Sequence, residues 1–149
     1  MVPLITLLVA TVAARSIGWL GVGYVNSWTA ALAVGLAVMF VLTGISHFAL
    51  PLRRDLIAIV PPRLPAPGLL VTITGLLELL GAAGLLLPAI RVAAAVCLVV
   101  LMLAMFPANV YAARMPDPPK SMTTRLPLRT AIEVVFLAAA VAVAVGSGQ

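Results

Sequence analysis

Long apolar stretches joined by short polar segments make up this chain, and the apolar runs are continuous rather than confined to every other residue. Five stand out, at 2–20, 29–50, 68–88, 92–113 and 129–147. A helix needs about 20 apolar residues to cross the hydrocarbon core of a bilayer, with a working range of about 17–25, and every run meets that length. Alternating segments of about ten residues would suggest a transmembrane barrel. Unbroken runs point to helices, which satisfy each backbone N–H and C=O within the segment itself. The pattern predicts an all-α polytopic membrane bundle, with residues 1–149 forming one membrane domain. No basic residue precedes the first run, so it lacks the charged start of a signal peptide and reads as a retained span.

The joints predict an orientation. "PLRRDLIAIVPPRLPAPG" carries Arg53, Arg54 and Arg63, and its five prolines suggest a stiff, non-helical connection. "RMPDPPKSMTTRLPLR" adds Arg114, Lys120, Arg125 and Arg129 on the same side of the membrane. The other side has Arg91 in a short turn and "GVGYVNSW", which has no basic residue. The positive-inside rule turns the basic side toward the cytoplasm, with the N-terminus inside. Trp19, Tyr24 and Trp28 then form an aromatic belt at the outer interface.

Composition agrees with a bilayer as the solvent. The chain is 64% hydrophobic and 9% charged, with a mean hydropathy of +1.24; soluble domains are nearer half apolar and a quarter charged. The pI of about 10.8 does not indicate nucleic acid, because the basic residues stand singly between apolar spans and form no basic aromatic module. They suit topology and lipid headgroups. Cys97, the one cysteine, permits no intramolecular disulfide and no cysteine zinc site, and reads as a small buried packing residue. The chain contains no Walker loop, GxGxxG, GxSxG or HExxH.

Ionisable residues in an apolar span are costly and usually face the bundle interior. Glu78 lies ten residues into the third run, in "TITGLLELLGAAGLLLP", with Thr74, Gly75, Gly81 and Ala82 on its face. Small neighbours let a second helix approach and bury the carboxyl at the seam. Arg15 lies at a similar depth in the first run. Three readings of Glu78 are open: an ion pair with Arg15 that locks the bundle, a carboxyl hydrogen-bonded to Thr74 or a neighbour, and a group that handles a ligand or proton. His47, the only histidine, lies near the cytoplasmic end of the second run. Asn109 and Tyr111 lie near the same end of the fourth, beside a helix-bending Pro107. Glu133 follows Arg129 by four residues, which suits a local salt bridge. Together they predict a polar cluster in the cytoplasmic half of the membrane with Glu78 at its floor. One histidine with scattered carboxylates makes no metal site.

The succession "GISHFALP", "IVPPRLPAP", "GLLELLGAAGLLLP", a basic turn at Arg91 and "MFPANVYAA" resembles the DoxX-like family of small bacterial membrane proteins, over roughly residues 35–113. The resemblance implies a four-helix core in the bacterial inner membrane, here with an added N-terminal helix. It implies His47, Glu78 and Asn109 as the characteristic polar positions, and a link to thiol, thiosulfate or quinone redox systems. The first functional reading is therefore a redox-associated subunit that binds a quinone or another lipophilic molecule. In it His47 and Glu78 handle a proton, Asn109, Tyr111, Arg15 and Glu133 contact the ligand, and electrons come from a partner protein or bound cofactor. The alternatives are an acid–base enzyme on a lipophilic substrate, a small-solute transporter built as a homo-oligomer, and an assembly partner whose polar residues serve packing alone.

Overall fold

A computed structural model describes residues 1–148. Helix α1 spans Val2–Trp19, α2 Trp28–Ser46, α3 Leu52–Ala58, α4 Pro67–Leu86, α5 Arg91–Arg114 and α6 Leu126–Ser147. All but α3 are long and apolar enough to cross a membrane, and the protein is a multi-pass helical membrane protein. Their starts follow local chemistry. Ser27 caps α2, its Oγ accepting from the Ala30 N–H at 3.1 Å. Prolines open α1, α4 and α6, where the missing N–H costs no helical bond.

Helices α2, α4, α5 and α6 pack in a closed ring, each against the next, with α6 returning to α2; α1 lies outside, along α2. Only half of the ring is filled. Leu36, Phe40, Leu85, Leu98, Met102 and Val143 interdigitate in the half nearer the start of α2. Outward faces carry the apolar side chains that meet lipid, such as Ile5, Val9 and Val12 on α1 and Val96, Val100 and Leu103 on α5. Cys97 belongs to that outer surface and is exposed, contrary to the buried position expected. The inward positions of α5 are Ala95, Leu98 and Met102, so Cys97 falls on the opposite arc.

The joint between α2 and α4 is also not what its prolines suggest. Pro51 and Pro61 bracket the helix α3 instead of preventing it, since proline is tolerated at a helix start. Arg53 holds α3 in place. Its Nη1 donates to the His47 carbonyl at 2.9 Å, and its Nη2 to the Gly68 carbonyl at 3.1 Å and to Thr72 Oγ1 at 2.9 Å. On the far side of α3, Ser121 Oγ donates to Asp55 Oδ2 at 2.5 Å. Helix α3 is thereby tied to the end of α2, the first turns of α4 and the joint between α5 and α6.

The opposite end of the bundle is closed by aromatic residues and arginines. Arg91 is buried. Its Nε donates to the Leu85 carbonyl at 2.8 Å and its Nη2 to the Tyr24 hydroxyl at 2.9 Å, while Tyr24 donates to the Leu86 carbonyl. These bonds satisfy carbonyls that the end of α4 leaves open and place a cation at its negative pole.

Candidate functional site

The unfilled half of the ring is a cleft of about 800 Å³. All four ring helices line it, with α3 and its following joint, Ser121–Thr124 and Met1 around its mouth. Glu78 forms the floor, and Thr43, His47, Thr74, Asn109, Arg129 and Glu133 reach the walls. Leu70, Val71, Met105, Ile132 and Phe136 make the remaining walls apolar.

Two glycines let α2 and α4 close on each other beside this floor. A Cβ on Gly75 would lie 2.5 Å from His47 Cβ, and one on Gly44 would lie 2.9 Å from Leu79 Cδ2. Contact at that range brings Thr43 to Glu78, and Thr43 Oγ1 donates to Glu78 Oε2 at 2.6 Å. The partner of Glu78 is therefore Thr43 on the facing helix and not Thr74, whose hydroxyl donates to the Leu70 carbonyl on its own helix at 3.0 Å. Glu78 is 2% exposed and His47 5%. His47 caps the end of α2, and its Nδ1 donates to the Thr43 carbonyl at 2.9 Å. Thr43 thus connects both groups, through its carbonyl to the imidazole and through its hydroxyl to the carboxyl. Nothing in the sequence singles it out, because threonine inside an apolar helix commonly bonds its own backbone.

Four of the six expected site residues come together: His47, Glu78, Asn109 and Glu133 all face the cleft. Arg15 does not join them. Its Nη1 donates to Asn26 Oδ1 at 3.1 Å, and its guanidinium lies 4.9 Å from the Trp19 ring centre and 5.5 Å from that of Trp28. The two indoles meet edge to face at 6.4 Å. Leu7 of α1 lies level with Gly35 of α2. Arg15 is eight residues above that level and Thr43 eight below, a separation of about 24 Å along the bundle. Depth counted along each run placed Arg15 and Glu78 side by side. That reckoning fails because α4 begins beyond the end of α2, with Gly75 opposite His47. No Arg15–Glu78 pair forms. Tyr111 is not among the cleft walls; it lies two residues past Asn109, the last residue of α5 that lines the cleft.

The Arg129–Glu133 pair is not formed either. Arg129 Nη1 donates to Asn109 Oδ1 at 3.1 Å and Nη2 to the Met122 carbonyl at 2.7 Å. Asn109 is thereby engaged in holding α5 to α6, and the Glu133 carboxyl is left facing the cleft. Among the described residues no group of three or more His, Cys, Asp or Glu is placed to hold a metal ion.

Comparison with known proteins adds one finding. The family model described as a domain of unknown function (DUF8561) matches residues 36–144. The chain belongs to that family. The DUF8561 match begins within α2 and ends within α6. It therefore takes in Thr43, His47, Glu78, Asn109 and Glu133, together with α3, and leaves α1 outside. No curated protein and no solved structure matches the chain.

Proposed function

We propose that this DUF8561 protein binds a lipophilic small molecule in the half-membrane cleft, with the molecule's polar head at Glu78 and His47 and its apolar body along α4, α5 and α6. The observation that carries the reading is the cleft itself. An open volume of about 800 Å³ among apolar walls, ending on a buried carboxyl and a buried imidazole, has the composition of a small-molecule site. A purely structural polar cluster would be packed shut, as the other half of the ring is. The resemblance to DoxX-like proteins supports an isoprenoid or quinone-type ligand, a redox partner protein and a place in the bacterial inner membrane. The basic joints on the cleft side support a cytoplasmic mouth.

A second reading rests on Thr43. It links an imidazole and a carboxyl at one floor, an arrangement suited to acid–base chemistry on a bound lipophilic substrate. Both readings share the occupied cleft. The test is mass spectrometry of small molecules that stay with the protein through mild-detergent purification, for wild type, Glu78→Met and His47→Ala. An isoprenoid or other lipophilic molecule retained by wild type and lost from folded variants is the expected result. Bulk phospholipid alone, in equal amount in all three, would overturn the proposal.

A further inference from the structure

The hydrogen bonds around the cleft floor are one-sided. Its hydroxyl donors are engaged with the protein. Ser46 Oγ donates to the Thr43 carbonyl at 2.5 Å and Thr74 to the Leu70 carbonyl, while the open donors of the cleft, the Asn109 amide and Arg63, stand on its walls. Its acceptors are open. With Nδ1–H directed at the Thr43 carbonyl, the neutral imidazole presents an unprotonated Nε2. That nitrogen has no protein partner and is not sealed from the cleft. Glu78 has one oxygen engaged with Thr43 and a second that is likewise unpartnered and unsealed.

The second oxygen can accept in either charge state of the carboxyl. When Glu78 is ionised, Thr43 donates to Oε2 and Oε1 holds free lone pairs. When Glu78 is neutral and donates through Oε2 to Thr43 Oγ1, the threonine hydrogen turns to the Met39 carbonyl, 3.3 Å away, and Oε1 is a carbonyl oxygen; with the proton on Oε1 instead, that oxygen donates into the cleft. A hydroxyl head meets each of these states because it both donates and accepts, whereas a head that only accepts leaves the imidazole nitrogen unsatisfied in a buried site, and burial of unmatched polar atoms is costly.

We infer that the cleft selects lipophilic molecules with a neutral hydroxyl head, a phenol or dihydroxy-aromatic, over the matching ether or carbonyl. This rests on the reading that the cleft binds a lipophilic molecule, and it makes the reduced, hydroxyl-bearing form of any aromatic carrier the preferred ligand. The test uses two probes of equal size, 4-heptylphenol and 4-heptylanisole. Each is equilibrated by dialysis with the detergent-purified full chain and with empty micelles. The expected result is saturable binding of the phenol at least about tenfold tighter than the ether. That preference should shrink in His47→Phe and in Glu78→Met, and persist in Glu78→Gln, whose amide oxygen still accepts. The wild-type comparison decides the matter even where a variant fails to fold. Equal saturable binding of both probes would overturn the hydroxyl preference and leave ligand binding intact. Unsaturable uptake of both, equal to that of empty micelles, would overturn both.

Discussion

Thr43 and Glu78, 35 residues apart in sequence, meet across the α2–α4 seam with Oγ1 2.6 Å from Oε2. This contact gives the buried carboxyl its hydrogen bond. The valine variant of Thr43 keeps the shape and removes the donor. It is expected to destabilise the bundle by about 1–3 kcal/mol, the cost of an unmatched buried polar group. Thermal unfolding in detergent measures this. In the Glu78→Met background the same substitution should cost much less, and equal losses in both backgrounds would deny the coupling.

The approach of α2 to α4 depends on Gly75. A methyl there would meet His47 Cβ at 2.5 Å, so Gly75→Ala is expected to cost about 1–3 kcal/mol through overpacking. Gly68 on the same helix is a matched control. Its nearest neighbour would be Ile57 Cδ1 at 3.8 Å, and Gly68→Ala should be neutral or mildly stabilising through helix propensity. Unfolding midpoints of the two variants, side by side, check the contrast.

Arg53 fastens α3 over the cleft mouth through three hydrogen bonds. Removing them in Arg53→Ala should free the short helix without unfolding the bundle, because α3 contributes no buried residue of its own. Amide exchange is the measurement. Residues 52–58 are expected to exchange faster, while α2 and α5 hold their protection. Loss of protection throughout would show that Arg53 holds the whole fold.

Arg91 closes the opposite end through the Leu85 carbonyl and Tyr24. Because the side chain is buried, Arg91→Met is expected to lower stability by roughly 1–3 kcal/mol as those groups lose their partner. Tyr24→Phe should cost about 1 kcal/mol. Comparable midpoints for wild type and Arg91→Met in a detergent melt would refute the capping role.

The proposed orientation puts Lys120 in the cytoplasm and Ser27 outside. With Cys97→Ala as background, a cysteine at position 27 should react with a membrane-impermeant maleimide in intact cells. One at position 120 should react only after lysis, and the reverse pattern would invert the topology.

The five spans were legible because lipid leaves the backbone no partners but its own, so each crossing must be written as an unbroken apolar run. The same cost of polar groups in lipid marked His47, Glu78, Asn109 and Glu133 as residues that need company, and all four line one cleft. Their partners were not legible. Thr43 looks like any helical threonine until α4 comes alongside, and Arg15 appeared level with Glu78 until the offset between α2 and α4 placed it with Trp19 and Trp28. Helix α3 was hidden by its flanking prolines, and its latch through Arg53 joins residues as far apart as His47 and Thr72. Composition along a single helix records which groups must avoid lipid. Helix offset and rotation decide which of them meet, and these come from side-chain packing between helices, summed over contacts that no local window of sequence contains.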